Sequence, residues 1–182
     1  MERLKEILRG AGVFEHGFVS TAEMDFLQAV RDMCEVNTCG KYDKLWSCPP
    51  GVGTLEQCRE RCRSFAQMLV FSGKYELEDA FDYEGMMAGM RQFKQVVRGV
   101  EAGLRPYVNG YLMLSNEGCD LCEACTYPDA PCRHPARAHG TLEGYGIFVS
   151  ELASAAGMRY NNGPNTVTYF AGMLFHSFLF ET

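Results

Sequence analysis

The stretch Cys119-Asp-Leu-Cys122-Glu-Ala-Cys125-Thr-Tyr-Pro-Asp-Ala-Pro-Cys132 contains four of the nine cysteines in this chain of 182 residues. Two residues separate each of the first three cysteines, so a short loop can direct their thiols towards one centre. Bacterial ferredoxins hold iron–sulfur clusters in this way. Six residues separate Cys125 from the fourth cysteine, Cys132, which is a longer interval than the corresponding one in those ferredoxins. Cys132 therefore either completes the same cluster or ligates a second one, and we expect the fold to be organised around this centre.

The spacing of these four cysteines, the Cys119 run, favours iron–sulfur over zinc. A structural zinc site is tetrahedral and is often built from two separate Cys-x2-Cys pairs, not from one continuous triple. Packing in a hydrophobic core is a weaker alternative, because Asp120, Glu123 and Asp129 make the stretch polar. The sequence thus predicts one or two [4Fe–4S] clusters, with a zinc knuckle that staples the loop as the alternative.

A second group of cysteines, the Cys34 run, consists of Cys34, Cys39 and Cys48. Gly40 permits a sharp turn beside a ligand, and the Pro49-Pro50 pair stiffens the exit from Cys48. Three thiols could hold three corners of a cluster, the fourth being supplied by Cys132 or left open to a small molecule. The alternative is an irregular loop in which the cysteines pack as small hydrophobic residues.

The two remaining cysteines and the residues beside the Cys119 run have less specific roles. Cys58 and Cys62 lie four residues apart on a predicted helix, which favours packing in the core over metal ligation. Arg133 and His134 follow the last cysteine of the Cys119 run and could offset the negative charge of a thiolate-bound cluster. His139 lies near enough in sequence to tune the same centre.

Composition restricts the class of protein. Hydrophobic residues make up 47% of the chain, and its length suits one domain, which we assign to residues 1–182. The net charge of −6 argues against nucleic acid as a partner. The N-terminus alternates charged and apolar residues, and no segment is apolar enough to span a membrane, so we expect a cytoplasmic protein. An odd number of cysteines in a reducing compartment favours metal ligands over disulfides.

The hydrophobic pattern predicts an α+β or α/β fold, a small sheet covered by helices with two cysteine-rich metal-binding loops. A short N-terminal helix ends near Gly10, and Ser20 and Glu23 form a capping box that predicts a second helix leading to Cys34. Further helices are predicted from the Thr54-Leu-Glu-Gln57 capping box to about residue 65, after Asp82 as far as Leu104, and over 143–156 with Thr141 as cap. Strands are predicted at 66–72, 111–114 and 166–170.

The two cysteine runs together resemble a known family. The matching segments are Cys34-x4-Cys39-Gly-Lys-Tyr42, Trp46-Ser-Cys48-Pro-Pro50-x-Val52-Gly53 and Cys119-x2-Cys122-x2-Cys125-x-Tyr127-Pro-Asp-Ala-Pro-Cys132-Arg-His-Pro135. They are similar to those of a family of predicted metal-binding proteins of unknown function, found mainly in anaerobic bacteria and archaea. The resemblance spans residues 34 to 175 and implies that the seven cysteines of the two runs are the shared ligand positions. It leaves Cys58 and Cys62 outside the motif and implies no particular reaction.

Three functions are consistent with these residues. The first is an iron–sulfur protein that transfers electrons, or serves as a redox accessory subunit, with a redox protein as its partner. The second is a small enzyme whose substrate binds an open iron at the Cys34 run, although no catalytic residue can be named. The third is a structural module stapled by zinc. No phosphate-binding or dinucleotide-binding glycine motif occurs in the chain.

Overall fold

The structure is a computed structural model that describes residues 2–179. Within these residues it contains five α-helices and five β-strands. The helices are α1 (Glu2–Ala11), α2 (Gln28–Glu35), α3 (Leu55–Arg63), α4 (Tyr83–Leu104) and α5 (Val149–Ala155). The strands are β1 (His16–Ser20), β2 (Gln67–Glu76), β3 (Tyr111–Ser115), β4 (Gly140–Thr141) and β5 (Thr166–Phe175).

The strands form one mixed sheet in the order β1-β2-β5-β3-β4. Its first four strands are antiparallel to their neighbours, and the short β4 pairs with β3 in parallel. The long β2 and β5 pair along their whole length and form the centre of the sheet. The architecture is therefore α+β, as the sequence predicted.

Both faces of the sheet are buried, which explains why its central strands are apolar almost throughout. Alternate residues of β2 point to opposite faces, so Met68 and Val70 belong to one hydrophobic core and Leu69 and Phe71 to the other. The second core is closed by α1 and α4, which also pack on each other. The first includes buried residues of α3, α5 and the 3₁₀ turn at residues 143–145.

Two of the predicted helix starts are confirmed by their caps. Thr54 accepts a hydrogen bond from the backbone N–H of Gln57, and the Gln57 side chain accepts one from the N–H of Thr54, which completes the capping box. Asp82 accepts from the N–H of Gly85 at 2.8 Å and begins α4. The predicted apolar face of α4 is buried from Met90 to Leu104.

The helix predicted after Ser20 is wrong in its start. Ser20 is the last residue of β1, where it pairs with Gln67, and its side chain makes no capping hydrogen bond. A single 3₁₀ turn follows, and α2 begins only at Gln28. The ladder with β2 holds Ser20 in extended conformation, so the capping-box pattern has no helix to cap.

The helix predicted over 143–156 is divided into two. A 3₁₀ turn, Glu143–Tyr145, ends at Gly146, whose φ of +77° is the left-handed conformation that glycine tolerates. α5 then begins at Val149. Thr141 does act as a cap, because its hydroxyl accepts the Gly144 N–H at 2.8 Å, but it caps the turn and not the helix.

A candidate metal centre

The Cys119 run occupies the connection between β3 and β4. These two strands lie side by side, so the connection leaves the sheet and returns to it at neighbouring positions. Its four cysteines all line one small cavity of about 30 Å³, which we call the inner cavity. Each of the four is partly exposed, and none lies in a hydrophobic core. The structure thus places all four predicted ligands of this run around one space.

The Cys34 run begins with Cys34 in the last turn of α2 and continues with Cys39 and Cys48 in the connection between α2 and α3. Cys34, Cys39 and Cys48 all line a second, much larger cavity of about 510 Å³, which we call the large pocket. Cys48 is buried, Cys34 is partly buried and Cys39 is exposed. Glu143, which the sequence analysis placed only at the start of a predicted helix, lines the large pocket as well.

The two runs touch each other. The buried side chain of Ser47 accepts a hydrogen bond from the backbone N–H of Cys119 at 2.9 Å, and its Oγ lies 3.9 Å from the sulfur of Cys48. Gly118 packs so closely that an added Cβ would lie 3.1 Å from the Cys48 sulfur. Cys48 and Cys119 are therefore neighbours, and the two cavities lie next to each other.

Side chains around the two runs fasten them together at further points. Lys41 forms a 2.7 Å ion pair with Glu117, the residue just before Gly118. Trp46 Nε1 donates to the carbonyl of Ala130 at 3.1 Å, and the ring of Trp46 meets that of Tyr127 edge to face, with centroids 4.9 Å apart. Trp46 also lines the inner cavity. The loop that carries Cys39 and Cys48 is therefore fastened to the loop that carries the Cys119 run.

Backbone amides near the Cys119 run point at its sulfur atoms. The N–H of His134 donates to the sulfur of Cys132 at 3.4 Å, and the N–H of Leu121 makes a similar bond to Cys119. Hydrogen bonds of this kind stabilise thiolates and raise the reduction potential of a thiolate-bound centre. Arg133, expected to balance charge, lines the inner cavity and also donates to the carbonyl of Ala124 at 2.9 Å, which braces the loop.

A buried cation, Lys94, lies beside the Cys119 run. Its side chain is only 7% exposed, and its Nζ donates to the carbonyl of Gly118 and lies 3.7 Å from the carboxylate of Asp120. Burial lowers the pKa of Lys94, while Asp120 counteracts that effect. The Nε2 of His139 lies 3.0 Å from the carboxylate of Glu101, and His139 lines a small cavity together with Lys94 and Cys119.

Burial disfavours the thiolate form of several cysteines. Burial raises the pKa of Cys48 to about 11 and also raises the pKa values of Cys34 and Cys119. Neighbouring cysteines add to the effect, because each thiolate repels the next. A thiolate is the form that ligates metals, so binding of a cation must displace protons from these groups.

Seven thiols in two adjacent groups, with amide donors directed at two of the sulfur atoms, fit a thiolate-bound metal group. Within residues 2–179, however, no three His, Cys, Asp or Glu side chains are gathered tightly enough to hold one metal ion. All nine cysteines are free of disulfides. The structure therefore brings the predicted ligands to two cavities without closing a coordination sphere around either.

The two cysteines outside the runs are core residues. Cys58 and Cys62 lie on α3, are completely buried, and belong to the same core as Met68 and Val70. Arg61 Nη2 lies 3.5 Å from the Cys58 sulfur. Neither cysteine lines the inner cavity or the large pocket.

Comparison with known proteins identifies the family of this chain. No curated protein and no solved structure is detectably similar to this chain. No helix among residues 2–179 is both long enough and apolar enough to cross a membrane. The family model described as predicted metal-binding protein (DUF2284) matches residues 17–175, which include both cysteine runs and every strand except the first residue of β1. The chain therefore belongs to this family of predicted metal-binding proteins.

Proposed function

We propose that this metal-binding protein is an iron–sulfur protein that transfers electrons, with two adjacent centres, one at each cysteine run. The observation that carries the proposal is the meeting of the two runs at Ser47, Cys48 and Cys119, which puts seven thiols into two neighbouring cavities. When bound, a [4Fe–4S] cluster supplies reversible one-electron transfer. The ligands would be Cys119, Cys122, Cys125 and Cys132 in the inner cavity and the Cys34 run in the large pocket.

The chain's own residues would tune and protect such centres. The amides of His134 and Leu121 would stabilise the thiolates of Cys132 and Cys119, and the buried charge of Lys94 would favour the more negative, reduced state. Trp46 would exclude water from the inner cavity. Solvent access, hydrogen bonds to sulfur and local charge are the means by which proteins set the potential of these clusters.

A redox protein is the partner that this function requires, and Cys132 is the place where we propose that it binds. Cys132 lines the inner cavity and also an outer concavity of about 490 Å³ formed by Trp46 and the prolines around residues 128–135. Because Cys132 is partly exposed and borders both spaces, we propose that an electron leaves through it. Nine cysteines without disulfides support a reducing compartment, the cytoplasm.

Anaerobic purification followed by counting of iron, acid-labile sulfide and zinc tests this function. We expect iron and sulfide in equal amounts and visible absorbance that bleaches on reduction with dithionite. Cys122→Ala and Cys48→Ala should each lose part of the iron, while the core variant Cys58→Ala keeps all of it. Stoichiometric zinc without sulfide would refute the proposal and leave the zinc-stapled module. Complete loss of iron in both ligand variants would show a single shared cluster.

The large pocket favours a second candidate function, a small enzyme. Its volume of about 510 Å³ lies in the range of small-molecule sites. A cubane cluster has one more iron than the Cys34 run has cysteines, so one iron would be left without a cysteine ligand. The paramagnetic spectrum of the reduced protein should then change when a substrate is added. A spectrum that stays the same across a panel of small acids, thiols and amines would exclude direct binding at iron.

A further inference from the structure

The large pocket contains features that metal ligation does not explain. Besides the Cys34 run, it is lined by Phe148, Val149 and Ser150 at the start of α5 and by Tyr160 after that helix. A volume of about 510 Å³ lies in the range of cavities that hold small organic molecules. The cysteines therefore account for only part of its surface.

Large apolar side chains line the pocket and remain exposed to solvent. Phe148 is 44% exposed, Tyr160 is 55% exposed, and Met33 of α2 is 67% exposed. The ring of Tyr160 is held in place by stacking on Phe170, with centroids 5.7 Å apart and an angle of 13° between the planes. Exposed apolar groups clustered around a concavity are typical of a surface that a ligand covers.

The charge of the pocket is unbalanced. The carboxylate of Glu143 lines it and accepts a hydrogen bond from the backbone N–H of its own residue, but it has no partner in another residue within residues 2–179. Lys41 is the cation of the lining, and its ammonium group is already paired with Glu117 at 2.7 Å. The remaining charge is negative, and metal-bound thiolates of the Cys34 run would add charge of the same sign.

The surroundings of Glu143 disfavour an isolated negative charge. The pocket admits solvent to its side chain, but protein atoms around the carboxyl limit its hydration. This desolvation, with a smaller contribution from the negative charge of Glu117, raises the pKa of Glu143. A cation beside the carboxylate would offset the cost of both effects through Coulomb attraction.

We propose that the large pocket binds a small organic cation, an amine or quaternary ammonium compound with an apolar body. The cationic group lies against Glu143, and the apolar body lies against Phe148 and Tyr160. Aromatic side chains near a carboxylate suit this class of ligand, because the face of an aromatic ring attracts ammonium groups and covers their apolar substituents. The inference requires the part of the pocket lined by Glu143, Phe148 and Tyr160, and it does not depend on which metal the cysteines bind.

Calorimetric titration of the anaerobically purified protein tests the proposal with three probes of similar size. Phenyltrimethylammonium carries a positive charge, 2-phenylethanol is neutral and 3-phenylpropionate is negative. We expect the cation to bind about tenfold more tightly than the alcohol and the acid not to bind measurably. Equal binding of cation and alcohol, tighter binding of the acid, or no heat with any probe would overturn the proposal.

Two variants locate the site. Glu143→Gln should weaken binding of the cation about tenfold and leave binding of the alcohol unchanged. The control Glu23→Gln changes an exposed glutamate that lies, like Glu143, in a single 3₁₀ turn but outside the pocket, and it should bind as the native protein does. Tyr160→Leu keeps an apolar side chain without an aromatic face and should lower the preference for the cation over the alcohol.

Metal analysis of the same samples separates this inference from the proposed function. Glu143→Gln should keep the iron and sulfide content of the native protein. If it loses metal together with ligand binding, Glu143 is a metal ligand and the inference fails. If iron and sulfide are present but no probe binds, the inference fails while the iron–sulfur function stands. If the cation binds to a protein that contains zinc, the inference stands and the iron–sulfur function fails.

Discussion

Replacement of Ser47 by alanine tests whether one hydrogen bond holds the two cysteine runs together. Ser47 is 3% exposed, and its hydroxyl accepts the backbone N–H of Cys119 at 2.9 Å. Alanine removes the acceptor and leaves this N–H without a partner in a partly buried position. An unsatisfied buried donor costs about 1–3 kcal/mol, and partial access of water to Cys119 places the cost near about 1–2 kcal/mol. For a chain of this size, that corresponds to a fall in Tm of about 2–8 °C.

The assay is urea unfolding and thermal unfolding under anaerobic, reducing conditions, with the metal content of each sample measured. Ser64→Ala is the matched control. The Ser64 hydroxyl also makes a hydrogen bond to backbone, donating to the carbonyl of Arg61 at 2.7 Å, but at an exposed position. Water can replace that bond, so the control should change the free energy of unfolding by no more than about 0.5 kcal/mol.

Alkylation kinetics show which part of the protein becomes more accessible in Ser47→Ala. Cys48 is 6% exposed and lies 3.9 Å from the Ser47 hydroxyl, whereas Cys62 is fully buried in the core. In Ser47→Ala, a thiol reagent applied to metal-free protein should modify Cys48 faster and Cys62 at an unchanged rate. Equal stability of Ser47→Ala and Ser64→Ala, or faster modification of both cysteines, would refute the idea that this bond joins the two runs.

Substitutions at Asp82, Phe93 and Gly172 test the scaffold, with Phe81 and Gly10 as control positions. Two backbone N–H groups hold the pKa of Asp82 below its usual value. The stabilisation that the Asp82 carboxylate gives the folded protein is therefore complete above the unfolded pKa of about 3.9, and it is lost as pH falls through the lower pKa of the folded protein. Asp82→Asn should therefore flatten the acid side of a plot of Tm against pH. Phe93→Ala, at a fully buried position, should cost about 3–5 kcal/mol in urea unfolding, and Phe81→Ala, at a 91% exposed one, about 0.5 kcal/mol or less. Gly172→Ala, whose Cβ would meet a methionine side chain, should destabilise by about 1–3 kcal/mol. Gly10→Ala, with open space at the end of α1, should stabilise the folded protein by about 0.5–1 kcal/mol. Equal changes in the free energy of unfolding at the two glycines would contradict the packing described for β5.

The centre of the fold could be predicted because its elements carry their own signals. α4 has an apolar residue every three or four positions, and β2, β3 and β5 contain short apolar runs bounded by turns. The two edge strands carry no such signal. β1 is only five residues long, and β4 is two residues that become a strand only through their pairing with β3. Their assignment depends on tertiary contacts, which local sequence does not specify.

The candidate site also has features that could be predicted from the sequence and features that could not. The spacing of cysteines within each run could indicate metal ligation, since it reflects the local path of one loop. The contact between the runs joins residues more than 70 positions apart and could not be read from either loop. Lys94 did leave a signal, because it follows Phe93 and precedes Val97 on the apolar face of α4, where a lysine needs a buried polar partner. Glu143 left none, since its position depended on the interruption of a predicted helix.

The position of the cysteine runs relative to the cores bears on what a metal does here. Both cores are built from the sheet and the helices, and among the seven cysteines of the runs none belongs to either core. Small zinc domains depend on the metal for folding because they lack such a core. In this chain the two faces of the sheet supply apolar burial that does not involve the ligands. A bound metal would therefore order two loops on a scaffold that is already folded. Its binding free energy would not be needed to fold the chain and could contribute to the properties of a reactive centre.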